Sequence, residues 1–218
     1  MVSMRSIFAE HKGFWTGRNR KSLYVGFLLL ALAIFVQVRG GIYAQSKSLR
    51  SSAVPDIFLD NLPTVNLDLV VVQGALFAWV IGVLLLIRYP KYLLFGTKAT
   101  ALFIIIRATF LNLTNIGVYP RQAVFDYALG SGLYDLVNFD GNFFFSGHTG
   151  MPILMALVFW EKKNIRYFFL LASALFGISA LLAHVHYSID VFAAPFITYG
   201  IFKIAEWLFS SDYGLLTR

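Results

Sequence analysis

The sequence predicts an all-α fold, a polytopic membrane helix bundle of about six spanning helices, and three observations lead to it. First, 58% of the 218 residues are hydrophobic, 13% are charged, and the mean hydropathy is +0.70. Second, apolar runs recur along the chain, and their length is close to the roughly 20 residues that a helix needs to cross a bilayer. Third, the polar stretches between them are mostly short. A water-soluble domain of this size exposes too much surface to bury so large an apolar share.

The apolar runs place the predicted spans in order along the chain. A basic tail with interleaved aromatic residues, 1–22, comes first and is expected to lie at the membrane surface. Residues 23–218 then form a single membrane domain. Its spans are predicted at 23–38, 67–87, 99–118, 148–160, 167–183 and 188–209.

Lys and Arg are distributed unequally between the two sides of the predicted bundle. Most of the 18 lie in the N-terminal tail, in the loops after the second and fourth spans, and at the C-terminus. Because positive residues concentrate on the cytoplasmic side of membrane proteins, both termini are predicted to be cytoplasmic. The loops 39–66, 119–147 and 184–188 then face the outer or luminal side. The net charge of +7 follows this pattern, so no nucleic-acid partner is predicted.

Two histidine-containing elements begin predicted spans on that outer side. FFFSGHTG contains Ser146, Gly147 and His148, and AHVHYSID contains His186 and Asp190. Since both spans run inward, their N-terminal ends meet at one face. Unpaired N–H groups and the positive end of the helix dipole make such a face suitable for binding phosphate.

The spacing within these elements indicates acid–base chemistry. His186 and Asp190 are four residues apart, so on a helix they share a face, and the carboxylate can orient the ring. With His148 as a second titratable group, this arrangement supports phosphoryl transfer through a phospho-histidine. His184 is expected to point elsewhere. The same side chains could instead bind a metal, or serve only as interfacial anchors and a helix cap.

Arg107 is predicted near the middle of the third span, where an arginine costs several kcal/mol. Thr114, seven residues later, lies on the same helical face. This polar stripe predicts a water-filled cavity or a bound anion. The alternative is that Arg107 extends to the interface or pairs with a carboxylate.

Taken together, FFFSGHT and AHVHYSIDV resemble the sphingomyelin synthase branch of the type 2 phosphatidic acid phosphatase (PAP2) superfamily. In that branch a Ser-Gly-His-Thr element and a His-Tyr-Ser-x-Asp element supply the catalytic triad, which falls here on His148, His186 and Asp190. The segment VPDIFLD and the stretch Arg-Ala-Thr at 107–109 extend the resemblance over residues 54–200. The chain departs from the branch at 140–142, where it has Asp-Gly-Asn instead of Cys-Gly-Asp. It also has one arginine in the third span instead of two.

The resemblance implies a PAP2-like core at about 54–210 and a lipid phosphotransferase. His186 would attack the phosphorus of a phospholipid, and His148 would protonate the departing diacylglycerol and then activate a lipid alcohol such as ceramide. No metal and no other cofactor are implied. The residues expected to bind the phosphate are Arg107, Arg121, Ser146 and Gly147.

Two other functions stay open. A lipid phosphatase or a phospholipase-C-type hydrolase would use the same triad with water as the acceptor. A small transporter would place Arg107 and the histidines on an ion path, although the histidines cluster at one face. An apolar wall formed by the phenylalanines at 143–145 and by Phe192 would favour transfer, because it keeps water out. These rings could equally be an aromatic belt.

The sequence leaves several properties undetermined. They include the headgroup donor, the acceptor and whether the protein forms a homo-oligomer. The roles of four polar residues in the third-to-fourth loop are also undetermined: Asp126, Asp135, Asp140 and Asn142.

Overall fold

The computed structural model describes residues 11–114, 116–123 and 144–217, and in these ranges all regular structure is helical. The all-α prediction is therefore confirmed. Of the basic tail, residues 11–22 are described. Phe143 and the four polar residues named above (Asp126, Asp135, Asp140 and Asn142) lie outside the described residues. The elements are α1 (Gly17–Ser48), a π-helical turn (Leu69–Gly74) continuing into α2 (Ala75–Arg88), α3 (Pro90–Leu113), α4 (Gly147–Val158), α5 (Lys163–Leu182), α6 (Ser188–Leu208) and the short α7 (Ser210–Tyr213).

Five helices in the described ranges, instead of about six, are long and apolar enough to span a bilayer. The exception is α4, the predicted fourth span, whose 12 residues reach only about 18 Å. It begins at Gly147, one residue before the predicted start, and the two residues before it, Phe145 and Ser146, are fully buried in non-helical conformation. Non-helical backbone is tolerated within a membrane protein where the protein itself covers it.

Helix α1 is 32 residues long and extends ten residues beyond the predicted end of the first span. The added segment is polar, but it packs against α3, where Gly40 contacts the side chain of Asn112. Ser48 then donates a hydrogen bond to the carbonyl of Ile116 (2.8 Å). Tertiary packing of this kind stabilises helical turns that hydropathy does not predict.

Helix α3 begins nine residues earlier and ends five residues earlier than the predicted third span. Pro90 occupies its first position, which suits a residue without an N–H group. As a result, Arg107 is not central but lies six residues, or about 9 Å, from the C-terminal end of α3. The polar stripe beyond it is satisfied locally, since Asn112 and Thr114 donate to the carbonyls of Ala108 and Phe110. No water-filled cavity is needed to explain that stripe.

The helices alternate in direction, so α3 ends where α4 and α6 begin; this is called the upper end below. Three apolar clusters of buried residues lie in the described part of the bundle, and two of them position the site. The larger one fills the middle and lower part, with Phe95, Phe103 and Phe159 among its members. The smaller one lies at the upper loops, residues 49–68 (the upper loop before the π-helical turn) and 116–123, and includes Leu59, Tyr119 and Tyr187. These clusters fix the relative positions of the loop and helix ends that form the candidate site.

At the lower end, a buried ion pair fastens α7 to α3, and we expect its loss to destabilise the protein. Lys98 and Asp212 are joined at 2.5 Å with side chains 8% and 11% exposed. Asp212→Ala leaves the buried Lys98 cation without a carboxylate, with the Ser22 hydroxyl (2.8 Å) as its remaining hydrogen-bond acceptor. Such a loss costs about 3–5 kcal/mol of unfolding free energy. Thermal unfolding in detergent measures this loss.

A matched control exists on α6, where Lys203 and Glu206 pair at 2.7 Å with side chains 51% and 28% exposed. Glu206→Ala is expected to change the unfolding free energy little, because solvent screens an exposed ion pair. Equal destabilisation by the two substitutions would contradict the role given to the buried pair.

Candidate active site

His186 and Asp190 form a buried pair at the upper end. The Nδ1 atom of His186 lies 3.2 Å from Oδ2 of Asp190, and the two residues are 4% and 0% exposed. An ionised carboxylate can only accept hydrogen bonds, so Nδ1 donates the proton and Nε2 keeps its lone pair. This is the tautomer that a nucleophilic imidazole requires.

The predicted pair is present, but its geometry differs from two residues on one helical face. His186 precedes α6, which begins at Ser188, and Asp190 lies in the first helical turn. The carboxylate reaches back over that turn, where it also accepts a hydrogen bond from the Tyr187 N–H (3.1 Å). A residue in the first turn of a helix often accepts such a bond from an otherwise unpaired N–H group. The same oxygen thereby caps α6 and orients His186.

His148, in the first turn of α4, faces this pair from a second helix. The ring centroids of His148 and His186 are 5.8 Å apart, with their planes inclined by 67°. His148 also makes a hydrogen bond with the backbone of Val71, within the π-helical turn. Such turns occur frequently at functional sites. The structure thus brings His148, His186 and Asp190 together, while their catalytic roles stay a prediction.

A backbone contact explains why two elements forty residues apart converge. The Ser146 N–H donates to the carbonyl of Asp190 (2.9 Å), which joins the beginnings of α4 and α6. The Ser146 hydroxyl accepts from the Thr149 N–H (3.4 Å) and caps α4. Ser146 therefore has a structural task at the site, and its predicted contact with phosphate is not needed to explain it.

Close approach of α4 to its neighbours depends on a glycine. A Cβ atom added at Gly150 would lie 2.8 Å from the Thr198 hydroxyl of α6 and 2.9 Å from the Phe103 ring of α3. Neither distance is compatible with a real side chain. Gly150 therefore sets the separation of α4 and α6, and with it the distance between the two histidines.

A residue with left-handed backbone lies near the beginning of each histidine element. Phe144 has a φ of 83°, and His184 has a φ of 55°. Non-glycine residues rarely adopt this region, and strained backbone of this kind clusters at functional sites. The His184 ring turns towards the upper loop, where Nδ1 lies 3.2 Å from the Thr64 hydroxyl. Burial and the charge of Arg121 lower the pKa of His184.

Arg107 lies directly against the beginning of α4. Its Nε atom donates to the Phe145 carbonyl (3.1 Å), and a Cβ atom added at Gly147 would lie only 3.2 Å from that nitrogen. The Arg107 charge also acts on His148. A guanidinium group beside a helix N-terminus suits a phosphate, because both attract negative charge. The absence of a side chain at Gly147 is what allows this approach.

Arg121, the other predicted phosphate ligand, is bound to loop residues at the upper end. Its Nη2 atom donates to the carbonyls of Leu59 (3.2 Å) and Asp60 (3.1 Å) and to the Tyr119 hydroxyl (3.2 Å). These bonds fasten the upper loops to each other. The geometry therefore favours Arg107 over Arg121 as the residue that meets phosphate.

The predicted aromatic wall is not built as expected from its described members. Phe145 is fully buried in the apolar core, where its ring contacts Phe103 (5.4 Å between centroids). Phe192 is 51% exposed, and its ring contacts Phe58. Phe144 packs against Phe110. Water is restricted at the site by the burial of His186 and Asp190 themselves.

Asp56 is a residue whose position at the site the sequence analysis did not anticipate. Its Oδ2 accepts from the Ser188 N–H (2.7 Å), and its Oδ1 accepts from the N–H groups of Phe58 and Leu59. Burial raises the pKa of Asp56, but these hydrogen bonds, the one from Ser188 foremost, outweigh it and lower the pKa. Asp56 thus ties the upper loop to the first turn of α6. The only signal in the sequence was its place in the segment VPDIFLD.

Within the described ranges, no group of three or more His, Cys, Asp and Glu residues is arranged to hold a metal ion. The alternative of a metal site therefore lacks a ligand set among these residues. The geometry of the two histidines and Asp190 supports acid–base and nucleophilic chemistry.

Residues 141–208 match the family model described as PAP2 superfamily C-terminal. This match supports the predicted resemblance to the PAP2 superfamily. The matched range contains His148, His186 and Asp190, and members of this superfamily are generally phosphatases or phosphotransferases. The sphingomyelin synthase branch is a finer distinction, which the match does not make. No curated protein and no solved structure matches the chain.

Proposed function

We propose that the chain is a membrane phosphotransferase that moves a phospho-headgroup from a glycerophospholipid to a lipid alcohol such as ceramide. The main support is the buried His186–Asp190 pair (3.2 Å) with the His148 ring 5.8 Å from the His186 ring. Arg107 beside the N-terminus of α4 supports binding of a phosphate at the same place. No cofactor takes part.

In the first step, Nε2 of His186 attacks the phosphorus of the donor lipid. A nitrogen–phosphorus bond forms while the bond from phosphorus to the glycerol oxygen breaks. His148, acting as a general acid, gives its proton to that oxygen, and diacylglycerol leaves. Asp190 stabilises the positive charge on the His186 ring, and Arg107 stabilises the charge on the phosphoryl oxygens.

In the second step, the hydroxyl of the acceptor lipid attacks the same phosphorus. His148, now unprotonated, removes the hydroxyl proton as a general base. The oxygen–phosphorus bond forms as the nitrogen–phosphorus bond breaks, which returns His186 and His148 to their initial states. Splitting the transfer into two displacements is the advantage of a covalent intermediate.

Hydrolysis by the same triad is the second candidate, because the described phenylalanines do not form the expected wall around it. Water would replace the lipid alcohol in the second step and release the phospho-headgroup. The burial of His186 and Asp190 favours transfer, since a phosphorylated histidine that is shielded from water survives until a lipid acceptor arrives.

The acceptor assay distinguishes these two outcomes. Purified protein in detergent receives phosphatidylcholine or phosphatidylethanolamine labelled in the headgroup, with and without ceramide. We expect the label to appear in a new lipid faster than in a water-soluble product when an acceptor is present, because the acceptor reaches the buried intermediate ahead of water. Product analysis by chromatography measures both rates.

His186→Ala in the same assay is the control for contaminating activity. Release of free phosphate or phospho-headgroup at one rate, whether or not a lipid acceptor is added, would replace the transferase assignment by the hydrolase one. Absence of label from every product would contradict both.

We further propose that both termini are cytoplasmic and that the site faces the outer or luminal side, as the distribution of Lys and Arg predicts. The chain contains no cysteine, so single cysteines can be introduced at exposed positions at either end of the bundle. Ser52→Cys at the upper end is expected to react with an impermeant thiol reagent from outside intact cells. Asn164→Cys at the lower end is expected to react only after permeabilisation. The reverse labelling pattern would contradict this orientation.

A further inference from the structure

The upper loop contains a turn, Ile57–Asp60, that exposes two large apolar side chains. Ile57 is 78% exposed and Phe58 is 43% exposed, whereas Leu59 between them and the bundle is fully buried. Hydrogen bonds from the Asp60 N–H to the Asp56 carbonyl (2.8 Å) and from the Leu62 N–H to the Phe58 carbonyl (2.8 Å) close the turn. Its shape is therefore well defined, with Leu59 as the anchor and Ile57 at the tip.

The exposed side chains of this turn continue the outward-facing surface of α6. The rings of Phe58 and Phe192 are in contact, with 5.3 Å between their centroids. On α6, the exposed residues follow at intervals of three and four and thus form one stripe along the helix. They are Ile189 (54%), Phe192 (51%), Phe196 (80%) and Tyr199 (53%).

This stripe indicates which environment covers the turn. Helix α6 is one of the five helices long and apolar enough to cross a bilayer, and its opposite face, with Asp190, Ala194 and Thr198, is buried. The exposed face is thus the one that meets lipid. Because Phe58 extends that face without a break, the acyl chains that surround Phe192 also reach the turn.

The turn is held in this position by the residues that build the site. The Asp56 carboxylate binds the Ser188 N–H at the beginning of α6, and the Tyr187 hydroxyl accepts from the Val54 N–H (3.3 Å) and donates to the Gly117 carbonyl (2.9 Å). His186 immediately precedes the two anchoring residues, Tyr187 and Ser188. The turn is therefore adjacent to the His186–Asp190 pair and cannot move far from it while these bonds persist.

We propose that the Ile57–Asp60 turn is inserted into the bilayer beside the candidate site, with Ile57 and Phe58 in contact with lipid acyl chains. Exposing an isoleucine and a phenylalanine to water at a loop tip is unfavourable, and hydrocarbon removes that cost. The proposal depends on α6 spanning the membrane. Its consequence, that donor lipids reach the triad past this turn, rests on the proposed function.

Quenching of a fluorescent label at the turn tests the insertion. Ile57→Cys is labelled with an environment-sensitive fluorophore, and the full chain is reconstituted into phosphatidylcholine vesicles. We expect lipids brominated on their acyl chains to quench this label as strongly as a label at Phe196→Cys on α6, and aqueous iodide to have little effect. A label at Ser52→Cys, an exposed position of the same upper loop, is expected to show the opposite pattern.

Two results would overturn the proposal. Quenching of the Ile57 label by iodide but not by brominated lipid would place the turn in water. Protection from both quenchers would place it against protein, such as a second copy of the chain. Fluorescence quenching needs no turnover, so an inactive protein would contradict the proposed function without affecting this measurement.

Discussion

Replacing any one residue of the His148, His186 and Asp190 group by alanine is expected to lower turnover by at least about a hundredfold, a typical loss for a general acid–base group. His186→Ala removes the atom that attacks phosphorus, so its loss is expected to be the largest. Asp190→Ala removes the carboxylate oxygen that lies 3.2 Å from Nδ1 of His186 and keeps the ring proton on that nitrogen. His148→Ala removes the proton donor for the leaving oxygen. Initial rates of lipid product formation by purified variants measure all three.

The control for the triad is His184, which lies two residues from His186 but turns towards Thr64. His184→Asn is the appropriate variant, because asparagine tolerates the left-handed φ of 55° at this position better than most residues. We expect it to retain most of the turnover. An essential His184 with a dispensable His186 would contradict the assignment of the nucleophile.

Loss of wild-type activity on chelation, restored by zinc or manganese, would assign the histidines to a metal site instead.

Arg107→Gln is expected to lower turnover by about 10²–10³-fold, which is the usual effect of removing a group that stabilises charge in the transition state. The guanidinium group lies against Gly147 and is the cation placed beside the beginning of α4. Arg107→Lys is expected to recover part of this loss, since it keeps the charge but not the planar donor group. Turnover and inhibition by vanadate, a mimic of pentacoordinate phosphorus, are the two measurements.

Arg121→Gln is the matched control for this substitution, because Arg121 binds the carbonyls of Leu59 and Asp60 in the upper loops. We expect it to affect thermal stability more than vanadate inhibition. Arg107 is 9% exposed, and substitution of a buried residue can disturb the fold. Cooperative unfolding in detergent is therefore used first to show that each variant is folded. A folded Arg107→Gln variant with unchanged vanadate inhibition would contradict the contact with phosphate.

The residues of the candidate site could be predicted from the sequence because each belongs to a short element. Ser146, Gly147 and His148 lie within three residues of one another, and His186 and Asp190 within five. The contact between His186 and Asp190 was also predicted, although for a different reason. Spacing indicated a shared helical face, whereas α6 begins after His186 and the carboxylate reaches back across its first turn.

Helix ends were predicted less well, because hydropathy does not report what a polar residue contacts. The last ten residues of α1, about half of them polar, are helical through packing on α3, as at Gly40 and Asn112. The beginning of α3 includes Lys98, whose charge is paired with Asp212 from the other end of the chain. A window of neighbouring residues contains no information about a partner more than a hundred positions away.

The sequence by itself determined the all-α class, the approximate number of spans and the identity of the residues in both histidine elements. These properties follow from local composition and periodicity, which act over a few helical turns. Only the tertiary structure decided that Arg107 and not Arg121 lies beside Gly147, that Asp56 binds the first turn of α6, and that Gly150 allows the two histidines to meet. Each of these contacts joins elements far apart in the chain, and close packing of several helices selects them.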